Sequence, residues 1–272
     1  MELLDILFGT NASRSATLAA MRPVVLLGRG HSGTRVLAWM CVHLGVKLGT
    51  SNPHVEGDPD DVTFTNKIKA LAAHNLDVTS PAQVREPALR RFKAAVSKYY
   101  AGLGSPGGMW GWKFPETYLI APYVARTFPR AKYLHLVRDG RDVAFKNHLT
   151  DNPRHRVGKA VLSACNALGL PDHLRAAASW AYQVDRFDAF REQLPALSVL
   201  DIRFEDLCSA PEESAERLSA FLGAPMTDAC REYAATGIDT RKVAQYRAQD
   251  RRLVDDVERR IAATLRRYRY LP

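Results

Sequence analysis

Short apolar runs alternate with amphipathic stretches along the chain. Pro23-Val24-Val25-Leu26-Leu27-Gly28 is an unbroken apolar run closed by glycine, the pattern of a strand buried on both faces. A polar, glycine-rich turn occupies 29–34. Residues 35–44 are apolar with no breaker until Gly45, which predicts a helix with a glycine C-terminal cap. Pro53, Gly57 and Pro59 mark 49–61 as a loop. Phe64, Ile68, Leu71 and Ala72 recur at helical spacing, and so do Leu89, Phe92, Val96 and Tyr99 or Tyr100. After a second loop at 102–108, residues 109–113 predict a short strand and 118–128 a helix weakened by Pro122. Residues 131–137 predict a strand, with a helix from Arg141. The polar, basic stretch 149–160 holds Pro153 and Gly158 and reads as a flap.

A helix over 171–194 places Leu174, Ala177, Ala181, Val184 and Phe187 on one face. Residues 197–203 predict a strand and 211–222 a helix, and 236–249 is irregular and basic. Leu253, Val257, Ile261, Leu265 and Tyr268 form the i, i+4 stripe of a final helix. Trp39, Trp180 and Phe187 are expected in the core. Trp110 and Trp112 alternate on a strand, so at most one face of it meets a ligand. Strands alternate with helices throughout, which predicts an α/β fold around a mostly parallel sheet.

Composition narrows the class. The 272 residues are 46% hydrophobic and 25% charged, enough for a sizeable core and against wholesale disorder. With no internal repeat and no long linker, the expected organisation is one domain over 1–272. It carries an N-terminal extension at 1–20 and a helical insertion at 46–106. No stretch reaches the roughly 18–20 apolar residues of a membrane span. The N-terminus has two acids in its first five residues and no basic lead, unlike a signal peptide. Cys41, Cys165, Cys208 and Cys230 are scattered without zinc or disulfide spacing, and a reduced, cytoplasmic protein is expected. The balance of 38 Lys and Arg against 29 Asp and Glu favours an anionic partner. No nucleic-acid-binding signature accompanies it, so a nucleic-acid partner is not expected.

The candidate chemistry starts at Gly28-Arg29-Gly30-His31-Ser32-Gly33-Thr34-Arg35. Gly28 and Gly33 have the spacing of a P-loop, GxxxxGK[ST]. Thr34 stands where a nucleotide triphosphatase has its lysine, and Arg35 where it has the hydroxyl that holds Mg²⁺. Such a loop still offers backbone N–H groups and a helix N-terminus to an anion, so a metal-free phosphate binder is expected. A glycine-rich turn without a ligand is the plainer alternative. The second feature is the run from Leu136 to Lys146. Arg138 leaves the carboxyl end of a strand, where α/β sheets bind ligands. A helix from Arg141 would make Asp142 and Lys146 i, i+4 neighbours and predicts that they pair.

Together these segments resemble the sulfotransferases that use 3′-phosphoadenosine 5′-phosphosulfate (PAPS), especially bacterial members and their carbohydrate and tyrosyl-protein relatives. Gly30 to Arg35 is similar to their 5′-phosphosulfate loop, and Arg138 to Lys146 to their RDPRDV-like 3′-phosphate motif. Trp110-Gly111-Trp112-Lys113-Phe114-Pro115 is similar to their WGxKxP segment. Arg203-Phe204-Glu205-Asp206-Leu207 with Phe221-Leu222-Gly223 is similar to RYEDL…FLG, and 240–246 to their basic C-terminal turn. The resemblance covers most of the chain, in family order.

It implies a P-loop-type three-layer fold with helical insertions, and a sequence 237–272 that closes over the donor. It also implies metal-free transfer of a sulfuryl group from PAPS to a hydroxyl or amine. The backbone from Ser32 to Arg35, with the Ser32 and Thr34 hydroxyls, would hold the 5′-phosphosulfate. His31 stands at the usual Lys or Arg position, so Arg29, Arg35 or Lys113 would supply the cation. Arg138 would hold the 3′-phosphate with Lys146, which replaces the usual Ser, and Arg241 and Lys242 would close over it. Phe204 stands where many members have Tyr. Glu56, or His54, would be the catalytic base, in the loop after the first helix; Glu205 and Asp206 read as structural. Arg154, His155, Arg156 and Lys159 suggest an anionic small-molecule, saccharide or glycolipid acceptor. The alternatives are a nucleotide-dependent small-molecule phosphotransferase, a basic polyanion-binding protein with a degenerate P-loop, and an inactive family member.

Overall fold

The structure, a computed structural model, describes residues 10–52 and 58–272. Helix α1 (Asn11–Ala20) leads into strand β1 (Val24–Leu27), and helix α2 (Thr34–His43) follows the glycine-rich turn. Strands β2 (Thr50–Asn52) and β3 (Asp58–Asp60) pair antiparallel. Helices α3 (Val62–His74) and α4 (Glu86–Gly102) precede strand β4 (Gly111–Lys113). A 3₁₀ turn (Pro115–Ile120) and helix α5 (Ala121–Thr127) lead to strand β5 (Lys132–Val137). Then come helix α6 (Gly140–Ala144), a 3₁₀ turn (Leu149–Asp151), and helices α7 (Arg156–Ala164) and α8 (Asp172–Glu192). Strand β6 (Ser198–Arg203) runs straight into helix α9 (Phe204–Ser209), followed by α10 (Pro211–Leu222) and α11 (Asp228–Thr236). Two 3₁₀ turns (Thr240–Lys242 and Gln245–Ala248) precede helix α12 (Arg251–Arg267).

The central sheet has the order β4-β1-β5-β6, and each pairing in it is parallel. Both faces are covered, which is why β1 is apolar at every position. Val25 and Leu27 pack on one side with Phe92, Trp112 and Tyr133. Val24 and Leu26 pack on the other with Leu37, Leu134, Leu136 and Leu218. This two-residue alternation is the pleat of a strand. Because the strands run parallel, Gly28, Lys113, Arg138 and Phe204 all emerge at one edge of the sheet.

The helices follow their sequence signals. Asp61 accepts the Phe64 N–H at 2.7 Å and caps α3, which buries Phe64, Ile68 and Leu71. Pro211 opens α10, and Gly223, at φ 71°, closes it. Pro122 sits in the first turn of α5, where a missing N–H is harmless. Asp250 caps α12, which buries Val257, Ile261, Leu265 and Tyr268 of the expected stripe; Leu253 is exposed, and Val254, one position on, is buried in its place.

Several expectations change. The stretch 149–160 is no flap: it contributes a 3₁₀ turn and the start of α7, and Val157 and Val161 are fully buried. Its proline and basic residues masked an amphipathic helix. The hairpin inside 49–61 and helices α1, α9 and α11 were outside the sequence expectations; α11 buries only Cys230 and Ala234, too few apolar positions to show a period. Trp39 is half-buried, whereas Trp110, Trp112, Trp180 and Phe187 are core. Among the described residues no helix is long and apolar enough to cross a membrane.

Candidate active site

The glycine-rich loop is built by packing from outside it. Gly33 takes φ 92°, a left-handed conformation that suits glycine, and is the N-cap of α2 with no side chain capping the helix. A Cβ at Gly33 would overlap the Phe204 ring, and one at Gly30 would overlap the His148 imidazole. Rings from β6–α9 and from the 148–151 segment therefore press on the loop from two sides. The N-terminus of α2 carries its positive dipole end into the space they leave. Ser32 is buried and its hydroxyl has no partner among the described residues. A buried orphan oxygen is costly, and an anion at the α2 N-terminus would satisfy it. The Ser32 N–H is already taken, donating to the Arg29 carbonyl at 3.0 Å. Thr34 is buried and Arg35 half-buried in the first turn of the helix.

Arg29 lies beneath the loop. Its fully buried guanidinium donates to the Gly30 carbonyl (2.9 Å), the Lys146 carbonyl (3.2 Å) and the Asp151 carboxylate. Burial lowers its pKa to about 10, which leaves it a cation at neutral pH. It ties the loop to the 146–151 segment. His31, at φ 69°, turns outward and donates from Nε2 to the Asn147 carbonyl at 2.9 Å. Burial and the nearby Arg29 charge hold its imidazole below the ordinary histidine range.

Arg138 emerges from β5 into a dense set of contacts. It donates to the Asp142 carboxylate (2.8 Å), to the His31 carbonyl (3.1 Å) and to the Lys242 carbonyl. Its guanidinium lies 4.6 Å from the centroid of the Phe204 ring. Asp142 also accepts the Tyr246 N–H at 2.8 Å. The expected Asp142–Lys146 pair is absent from this arrangement because α6 ends at Ala144, two residues short of Lys146. Asp142 reaches back to Arg138, and Lys146 gives its carbonyl to Arg29.

The basic turn thus sits directly on Arg138. Within it, Arg241 pairs with Asp239 at 2.8 Å and Lys242 approaches the same carboxylate at 3.8 Å, both largely exposed. Arg141 fastens the closing helix, binding Asp139 (2.7 Å), Glu258 (2.8 Å) and the Tyr270 carbonyl (2.9 Å). Glu205 accepts the Asp139 N–H (3.0 Å) and the Tyr270 hydroxyl (2.7 Å), and Asp206 pairs with Arg203 (3.4 Å), both structural contacts.

Lys113 ends β4 and is buried at the same edge. Glu56 and His54 lie outside the described residues. Sequence reasoning missed His148 and Glu116: His148 lies one residue before the stretch read as a flap, and Glu116 one residue beyond the quoted WGxKxP segment. Only the packing of His148 on Gly30 reveals its place. Among the described residues no group of three or more His, Cys, Asp or Glu is placed to hold a metal ion.

A family model described as the sulfotransferase family matches residues 23–228, from β1 to the start of α11. The chain belongs to the sulfotransferase family. The match spans every strand of the central sheet, the glycine-rich loop, Arg138 and Phe204. Solved sulfotransferase structures share the fold. STF1 of Mycobacterium tuberculosis superposes with a TM-score of 0.54 at 14% identity, covering 96% of this chain and 81% of the other. The sulfotransferase domain of the Synechococcus PCC 7002 olefin synthase gives 0.52 at 17% identity, over 89% and 94%. STF9 of Mycobacterium avium gives 0.52 at 14% identity, over 90% and 76%. At these identities the likeness is one of fold. No curated protein matches this sulfotransferase by sequence.

Proposed function

We propose that this sulfotransferase takes its sulfuryl group from PAPS and delivers it to a hydroxyl or amine of a small-molecule or saccharide acceptor. The observation that carries this reading is the loop itself: an uncapped α2 N-terminus with the buried, unpartnered Ser32 hydroxyl beside it. That donor set suits a bound anion. PAPS supplies an activated sulfuryl group on a phosphate that leaves without metal assistance. The first turn of α2, with Ser32 and Thr34, would hold the 5′-phosphosulfate. Arg29 would stabilise the loop from below, and Lys113 would supply charge at the β4 edge. Arg138 would hold the 3′-phosphate, with Arg241, Lys242 and Lys146 around it.

An acceptor would have room beside the loop. A cavity of about 750 Å³ opens next to His148, lined by Asn147, Asn152, Arg154, Asp172 and Arg175 among others. Its mixed polar lining suits a hydroxylic acceptor such as a saccharide. All four cysteines are free thiols, which supports action in the cytoplasm. The whole chain, from the N-terminal extension to the closing 237–272 segment, is read as one domain.

Calorimetric titration with 3′-phosphoadenosine 5′-phosphate (PAP), against ATP–Mg²⁺, tests the donor. The expected result is PAP binding at least about tenfold tighter than ATP–Mg²⁺, a difference of about 1.4 kcal/mol. Preference for ATP–Mg²⁺ would move the protein to the phosphotransferases.

A further inference from the structure

Sulfuryl transfer to a neutral hydroxyl requires a group that takes the hydroxyl proton, and four buried acids (Glu116, Asp139, Asp142, Asp151) and the half-buried Glu205 lie around the loop. Asp151 holds Arg29, Asp142 holds Arg138 and the Tyr246 N–H, and Asp139 holds Arg141. Glu205 holds the Asp139 N–H and the Tyr270 hydroxyl.

Glu116 is chosen by its place alone. It lies three residues past Lys113, in the turn that leaves the carboxyl end of β4, on the sheet edge where the loop emerges. One of its oxygens is 3.8 Å from His148 Nε2. The His148 ring in turn fills the space a Cβ at Gly30 would need, with Nε2 among its nearest atoms. Gly30, His148 Nε2 and Glu116 therefore converge at one side of the anion cradle.

The other face of the imidazole settles its protonation. Nδ1 accepts the Thr150 N–H at 3.3 Å and lies 2.9 Å from the Thr150 hydroxyl, which it also accepts. A neutral ring with Nδ1 as acceptor carries its proton on Nε2. The charged and titratable groups acting on the ring are Arg29 and His31 from the loop, Lys69 from α3, His155 at the start of α7, and Glu116, 3.8 Å from Nε2; Asp151 accepts the backbone N–H of His148. Burial, with the Arg29 charge, holds the imidazole well below its ordinary range, so it stays neutral beside the carboxylate.

We propose that Glu116 is the catalytic base of this sulfotransferase and that His148 is its positioning residue, presenting a fixed Nε2–H between the carboxylate and the glycine-rich loop. The inference rests on the PAPS reading above. The acceptor's O–H proton passes to the Glu116 carboxylate as the acceptor oxygen bonds to sulfur. The sulfur–oxygen bond to the donor phosphate breaks, and its electron pair leaves with PAP.

The test uses the full chain, with PAPS hydrolysis as the reaction and water as the sulfuryl acceptor. Glu116→Gln is expected to bind PAP within about threefold of wild type and to hydrolyse PAPS at least about 100-fold more slowly. Glu116→Asp, which keeps the charge but withdraws it by one methylene, guards against misfolding. It should retain PAP binding and lose at least about tenfold in rate. His148→Gln, which keeps an N–H at the Nε2 position, should retain more activity than His148→Phe. Imidazole nitrogen NMR at pH 7 should show His148 as the neutral Nε2–H tautomer. Normal PAP binding together with wild-type hydrolysis in both Glu116 variants would overturn the base assignment. An Nδ1–H or cationic His148 would overturn its positioning role. Failure of wild type to bind PAP would overturn the donor reading, and this inference with it.

Discussion

The Arg138 guanidinium stacks on the Phe204 ring, 4.6 Å from its centroid, and the same ring covers Gly33. One aromatic side chain thus joins the end of β5 to the glycine-rich loop. The phenylalanine keeps the stacking face that a tyrosine would offer. Phe204→Tyr is therefore expected to retain PAP binding, whereas Phe204→Ala removes a cation–π contact of about 0.5–2 kcal/mol. Calorimetry should show PAP affinity falling by about tenfold in the alanine variant.

Gly33 has no room for a side chain and holds a positive φ. Gly33→Ala should cost about 1–2 kcal/mol from backbone conformation alone, with a further penalty from displacing Phe204. Urea denaturation should show the lower midpoint, and PAP titration the weaker binding.

Arg29 and Asp151 form a buried pair beneath the loop. Arg29→Met strands the Asp151 carboxylate away from water, and the expected loss is about 3–5 kcal/mol. Removing both charges in Arg29→Met/Asp151→Leu should recover part of that stability, because no uncompensated charge remains. Equilibrium unfolding of the two variants measures the difference.

Acid pH should weaken the site. His31 and His148 both titrate below their ordinary value of 6.5 in the folded protein, through burial and the Arg29 charge. The unfolded chain therefore binds protons first. The stability from these neutral rings is complete above pH 6.5 and is lost as pH falls below it toward their folded values. Melting temperature should fall over that window, and His148→Gln should flatten the slope. An unchanged slope in the variant would remove His148 from the account.

Much of the architecture was legible because it depends on local pattern. The apolar run at Val24–Leu27 and Val257, Ile261, Leu265 and Tyr268 on α12 each report burial directly, although Leu253, read into the same stripe, is exposed. Parallel pairing then carries Gly28, Lys113, Arg138 and Phe204 to one edge. Contacts made across the chain were illegible. Arg29 reads as a ligand cation in sequence, yet Asp151 claims it from 122 positions away. Asp142 was expected to pair forward with Lys146, but the early end of α6 turns it back to Arg138. His148 carries no motif at all; its place is set by the absence of a side chain at Gly30.

Arg138 and its neighbours are proposed to read the 3′-phosphate of the donor. The most direct test compares PAP with adenosine 5′-phosphate, which lacks only that phosphate, on wild type and Arg138→Lys. Lysine is used because alanine would strand the buried Asp142 carboxylate. Wild type is predicted to bind PAP at least about tenfold tighter than adenosine 5′-phosphate, and most of that preference should vanish in Arg138→Lys. Equal affinity of wild type for the two nucleotides would contradict the account.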